Sequence, residues 1–232
     1  MTLVSVNVAQ PREVAHGNAV LSTGIFKQPV SGAVAVRRLN LDGDGQADRI
    51  NHGGESKAVY AYSLDHYAWW CATLGRETLP YGQFGENLTL AGLDEAASCV
   101  GDQLRIGDVL LAISQPRVPC FKLGIRFGDR HMPRLFAQSL RTGVYLRVLQ
   151  EGTVQAGDAV QVVAHGRGRV SIRALFDAYL KPNDRAAQKL LAQALELPEL
   201  SAEWRADIGQ RLARRSGTAD PDRDHGRFRT PP

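Results

Sequence analysis

The residues best equipped for chemistry lie in the stretch 115–124, which reads Gln-Pro-Arg-Val-Pro-Cys-Phe-Lys-Leu-Gly. Pro116 and Pro119 fix φ and remove two amide donors, so this link should be rigid and extended. The preceding residues 108–114 are apolar and β-rich, as in a buried strand. After the link, the apolar spacing of Phe121, Leu123 or Gly124, Ile125 and Phe127 predicts a helix. Cys120 therefore falls at a strand-to-helix junction, where unpaired backbone N–H groups favour an anion. Arg117 and Lys122 add two cations close in sequence. Such surroundings lower a thiol pKa and suit a thiolate to nucleophilic work or to a soft metal. The competing reading of any free cysteine is a small buried hydrophobe. Cys71, beside Trp69 and Trp70, and Cys99, in an apolar strand-like run, have no clustered cations and read as packing residues.

Two glycine-rich stretches carry further polar groups. Residues 51–57, Asn-His-Gly-Gly-Glu-Ser-Lys, place paired glycines beside His52, Ser56 and Lys57. Paired glycines let a backbone approach a ligand closely, and these donors suit phosphate or carboxylate. The GxxxxGK[ST] spacing of a phosphate loop is absent, and no GxSxG elbow accompanies the glycines. Taken alone, His52 reads as a turn histidine bonded to backbone. Residues 80–90 set Glu86 and Asn87 beside Gly85, between apolar Phe84 and Leu88, as polar groups held by a packed frame. The run Asp42-Gly-Asp-Gly-Gln-Ala-Asp48 hints at a calcium loop. Its glycine offset is wrong and Gly53 occupies position twelve, so it reads as a glycine-rich turn lining a pocket.

The elements that position these groups read as follows. Strands are predicted at 2–8, 32–39, 58–62, 97–100, 103–106, 109–114, 143–149 and 159–163. Gly-Asp turns at 101–102, 107–108 and 157–158 separate several of them. A helix capped by Ser63 should run to about Leu74, burying Leu64, Tyr67, Ala68 and Cys71, and another should cover 132–140. Many short strands, repeated turns and few helices predict a closed or nearly closed β-barrel, a mainly β fold with some α. After His165-Gly-Arg-Gly-Arg169 the pattern changes. Ile172, Leu175, Phe176 and Tyr179 begin a helical spacing that Ala187, Leu190, Leu191 and Ala194 repeat, and Trp204, Ile208 and Leu212 follow a Ser201 cap. The expected organisation is a β domain over 1–165, a three-helix extension over 166–213 and a disordered tail over 214–232.

Composition narrows the function classes. The chain has 232 residues, 44% of them hydrophobic, enough for a substantial core. Three cysteines without a CxxC pair argue against a disulfide framework or a zinc finger. No signal-peptide pattern opens the sequence and no run reaches transmembrane length, so a cytoplasmic protein is expected. The net charge of +4 suits anionic ligands. It also admits a nucleic-acid-binding module, but there is no stacking motif or clear basic face to support one.

The runs Gly24-Ile-Phe-Lys-Gln-Pro-Val, His52-Gly-Gly-Glu-Ser-Lys-Ala-Val-Tyr-Ala-Tyr, Phe84-Gly-Glu-Asn-Leu-Thr and Pro116-Arg-Val-Pro-Cys-Phe-Lys-Leu resemble the MOSC domain of molybdenum cofactor sulfurase C-terminal proteins. The three C-terminal helices are similar to the extension of the YiiM-like branch. The resemblance implies a β-barrel binding the pterin-based molybdenum cofactor (molybdopterin), with Cys120 as the metal ligand. Lys27, His52, Lys57, Asn87 and Arg117 fall in the family's other motifs and are expected to converge on the Cys120 pocket. It implies an oxidoreductase acting on N-hydroxylated compounds such as hydroxylamino bases. With neither GxGxxG nor an iron–sulfur cysteine set in the sequence, electrons should come from a separate donor protein. The alternative is a sulfur carrier that passes persulfide sulfur from Cys120.

Overall fold

A computed structural model describes residues 1–47 and 53–215. The strands are β1 (Thr2–Val8), β2 (Arg12–His16), β3 (Ala19–Thr23), β4 (Gln28–Val30), β5 (Val34–Val36), β6 (Val59–Ser63), β7 (Leu88–Ala91), β8 (Gln103–Ile106), β9 (Val109–Pro116), β10 (Val144–Gln150), β11 (Gly152–Val154) and β12 (Val160–Ala164). The helices are α1 (Tyr67–Leu74), α2 (Phe121–Phe127), α3 (Met132–Ser139), α4 (Ile172–Leu180), α5 (Arg185–Leu195) and α6 (Ala202–Arg215). None of the described helices is long and apolar enough to cross a membrane.

The predicted barrel does not form. Eight strands make one open sheet in the order β12-β8-β9-β10-β6-β7-β1-β4. Its neighbours are antiparallel except β6 and β7, which run parallel across the α1 crossover. At the seam the start of β12 meets β1 through one isolated bridge, Thr2 to Ala159, and through the Leu3 N–H on the Asp158 carbonyl (2.9 Å), the Gly157 N–H on the Leu3 carbonyl (2.8 Å) and the Val160 N–H on the Met1 carbonyl (2.9 Å), without extending into a strand pair. Outside this sheet, β5 pairs with β11, and β2 with β3. The fold is a mixed α/β one, with the three C-terminal helices packed on the sheet.

Alternation along β6 explains how the sheet divides two cores. Val59 and Ala61 enter a large aliphatic core, while Tyr60 and Tyr62 enter an aromatic one with Trp70, Phe84, Phe127 and Phe136. The aliphatic core continues into α4–α6 through Ile172, Phe176, Trp204 and Ile208. Each of these helices has a side-chain cap: Ser171 accepts from the Ala174 N–H (3.2 Å), Asp184 from Ala187 (2.9 Å) and Ser201 from Trp204 (3.1 Å).

Other sequence readings need correction. Ser63 starts a 3₁₀ turn (Leu64–His66), and its side chain makes no cap bond. The buried face of α1 is Tyr67 and Trp70, while Ala68 is exposed and Cys71 half-buried. Trp70 wins that face through its bulk and its indole N–H bond to the Tyr62 hydroxyl at 2.6 Å. Residues 97–100 form no strand; Cys99 is buried, makes an isolated bridge to Ser171 and donates its N–H to Asp102 at 2.9 Å. Helix α6 runs to Arg215, and residues 216–232 lie outside the described residues.

Candidate functional site

Cys120 stands as predicted between strand and helix. β9 ends at Pro116, and Cys120 holds the N-cap of α2 in extended conformation (φ −123°, ψ 172°). Its residue is half-buried on the wall of a cleft with about 610 Å³ of empty space, open mouth included. Lys27, Lys57, Asn87 and Arg117 line the same cleft, together with Asp44, Tyr60, Lys122 and Tyr145. The structure therefore gathers five of the six residues selected from sequence. The sixth, His52, lies outside the described residues.

Arg117 is buried beneath Cys120. Its guanidinium donates to the Phe84 carbonyl and lies 4.7 Å from the Tyr60 ring centroid and 5.5 Å from that of Phe136. Burial works against its charge, but Tyr60, Tyr145 and Cys120 more than offset this and raise its pKa. The interaction is mutual, so Arg117 favours the thiolate of Cys120. Because α2 has only seven residues, its dipole adds little to that effect.

Lys27 is answered by Asp44 at 2.5 and 2.6 Å, with both side chains under 10% exposed. Burial pulls the Lys27 pKa down and Asp44 opposes it. Asp44 also accepts from the Ala9 N–H (2.8 Å) and the Asn87 amide (2.9 Å). Asn87 in turn accepts from the Tyr60 N–H at 3.1 Å. Its side chain is thus committed to the protein frame, which gives it a positioning part in the cleft. Lys57 ends a 3₁₀ turn (Glu55–Lys57), is 6% exposed, and forms an ion pair with Glu203 of α6.

Glu86 supports the loop from behind. It is fully buried and accepts from the Gly82 and Phe84 N–H groups (3.0 Å each), the Thr89 hydroxyl (3.1 Å) and the Tyr67 hydroxyl. Gly82 (φ 77°) and Gly85 (φ 78°) make the turn possible. A Cβ would come within 2.7 Å of the Lys27 carbonyl at Gly82 and within 2.8 Å of Ile25 at Gly85. Sequence reasoning missed Asp44, Tyr60, Tyr145 and Glu203 as members of the site. For Asp44 the signal was present, in the glycine-rich turn read as pocket lining. Glu203 had none.

Among the described residues no group of three or more His, Cys, Asp or Glu side chains could hold a metal ion. The lining suits an anionic organic group: cations at Lys27, Lys57, Arg117 and Lys122, the Cys120 thiol, and glycines at positions 24, 45 and 85.

Two family models match the chain: "MOSC domain" over residues 48–161 and "YiiM-like, 3-alpha helix domain" over 170–215. Protein YflK of Bacillus subtilis (strain 168) is 38% identical over 207 residues, covering 89% of this chain and 92% of that protein. A protein named "Reductase" from Gibberella moniliformis is 33% identical over 202 residues, covering 84% of this chain and 35% of its own length. The crystal structure of YiiM from Geobacillus stearothermophilus superposes with a TM-score of 0.76 at 36% identity, covering 91% of this chain and 99% of that one. On these matches and on its fold, the chain belongs to the MOSC-domain family, in the YiiM-like branch that carries the three-helix domain.

Proposed function

We propose that this chain binds the pterin-based molybdenum cofactor in the Cys120 cleft and reduces N-hydroxylated compounds, such as hydroxylamino bases, to amines. The observation that carries the reading is the meeting of one half-buried thiol with Lys27, Lys57 and Arg117 in a single cleft. Membership of the MOSC family and similarity to a protein named "Reductase" support a redox role. When bound, the cofactor supplies two-electron chemistry at molybdenum. Cys120 would hold the metal as a soft thiolate, with the Arg117 cation lining the same cleft. Lys27 and Lys57 would answer the cofactor phosphate, and Asn87 would keep Asp44 and Lys27 in place. Reduction of an N–OH group consumes two electrons and two protons and releases water. A separate donor protein would deliver the electrons.

The test is elemental analysis of protein from a host that makes the cofactor, wild type beside Cys120→Ser. Near-stoichiometric molybdenum in the wild type, lost in a folded Cys120→Ser, is the expected result. No molybdenum in the wild type, or equal molybdenum in both, overturns the reading. The half-exposed position of Cys120 also suits a second reading, in which it carries persulfide sulfur to a cofactor or cluster. That reading expects sulfide released by a thiol reductant from molybdenum-free protein, and none from Cys120→Ser.

A further inference from the structure

Most polar side chains that line the cleft already have partners in the protein. Lys27 has Asp44, and Asn87 donates to Asp44 and accepts from the Tyr60 N–H. The Arg117 guanidinium donates to the Phe84 carbonyl. The Tyr60 hydroxyl donates to the Thr142 carbonyl at 2.8 Å. Tyr145 differs. It stands beside Tyr60 in register across β10 and β6, with ring centroids 5.2 Å apart. Its ring is thus held against the aromatic core while the residue, half-buried, lines the cleft. Its hydroxyl makes no hydrogen bond to any described residue, and it is not sealed in the interior. A phenol O–H that the fold leaves unused at the wall of a cleft calls for a partner from outside the chain. Burial raises the Tyr145 pKa, which Arg117 only partly opposes, so the hydroxyl keeps its proton near neutral pH and can donate.

We propose that the Tyr145 hydroxyl donates a hydrogen bond to the oxygen of the N–OH group and is the residue by which the cleft tells substrate from product. A hydroxylamino base presents that oxygen as an acceptor. The amine it becomes has no such oxygen, and its nitrogen lone pair is drawn into the aromatic ring, so it accepts poorly. Binding the amine therefore leaves the phenol O–H unpaired where the ligand has displaced water, and that penalty favours product release. The proposal rests on the reading that N-hydroxylated bases enter the cleft, and it adds the residue that recognises them.

The experiment has two arms, both on the full chain. The first is calorimetric titration of wild type and Tyr145→Phe with N-hydroxyadenine and with adenine, in the absence of an electron donor. Wild type should bind N-hydroxyadenine more tightly than adenine. Tyr145→Phe should bind N-hydroxyadenine roughly three- to tenfold more weakly, as expected for the loss of one neutral hydrogen bond, and adenine at least as well as wild type does. The second arm is thermal melting with molybdenum analysis of the same preparations. Tyr145→Phe should melt with wild type, because its hydroxyl has no partner in the protein, whereas Tyr60→Phe should melt lower through loss of the Thr142 bond. Molybdenum content should be the same in Tyr145→Phe as in wild type. A preference for N-hydroxyadenine that survives in Tyr145→Phe overturns the proposal and leaves the function given above standing. A Tyr145→Phe protein that melts markedly lower, or that loses molybdenum, also overturns it, since the hydroxyl would then serve the fold or the cofactor. Wild type that binds neither probe, or both equally, overturns the proposal together with the substrate reading on which it rests.

Discussion

Glu86→Gln is nearly isosteric, yet it should be strongly destabilising. Four donors converge on the buried carboxylate: the Gly82 N–H, Thr89 hydroxyl and Tyr67 hydroxyl on Oε1, and the Phe84 N–H on Oε2. Burial raises the Glu86 pKa, while these hydrogen bonds lower it. The Gly82 and Phe84 N–H groups, one on each oxygen, can only donate, so they favour the ionised form against the effect of burial. In Glu86→Gln the amide nitrogen takes the Oε2 side, where it displaces the fewest bonds. The Phe84 N–H is then buried facing another donor, which costs roughly 1–3 kcal/mol. The remaining bonds lose their charge assistance, partly offset by the lower cost of burying a neutral group. The sum is about 2–4 kcal/mol, a melting point lower by roughly 5–15 °C for a chain of this size. Urea denaturation monitored by circular dichroism measures it. A Glu86→Gln protein as stable as wild type, or more so, would refute the reasoning, because glutamine copies only the protonated acid well.

Asp44→Asn should cost about 3–5 kcal/mol by leaving Lys27 buried beside a neutral amide, and adding Lys27→Met should recover most of that loss in the same denaturation assay. Alkaline pH tests the four buried tyrosines, Tyr60, Tyr62, Tyr67 and Tyr179, whose pKa values burial raises above 10.0. Their contribution to stability is fully present below the unfolded-state value of 10.0 and is lost as pH rises beyond it, since the unfolded chain then gives up protons that the folded one keeps. Melting temperature should fall steeply above that pH, and tyrosinate absorbance should appear together with unfolding. Tyrosinate forming at all four positions before unfolding would contradict this.

What could be read from sequence and what could not divides along physical lines. The strand–proline–cysteine–helix junction at Cys120 was legible because φ restriction, N-cap position and helical spacing are all local properties. The three C-terminal helices were legible for the same reason. Period-two alternation says which face a residue takes, but not which strand lies beside it. The short strands therefore suggested a barrel, while β5 in fact pairs with β11 and the large sheet stays open. The hairpin of β2 and β3 escaped notice because its residues are largely exposed, Val20 at 67% among them, and leave no buried-face pattern to detect. At the cleft, Asn87 and Arg117 stood out by type and neighbourhood and Lys27 through the family resemblance, but their partners did not. Asp44 and Tyr60 reach the cleft from separate elements, Glu203 meets Lys57 from α6, and nothing near Glu203 in sequence refers to Lys57. The cations of an anion site can thus be chosen from motifs, whereas the carboxylates that neutralise them before ligand arrives are set by tertiary packing. Affinity depends on both members of each pair. Two sequences with identical Lys27 and Lys57 motifs would bind the same anion differently if one kept a carboxylate at the start of α6 and the other did not.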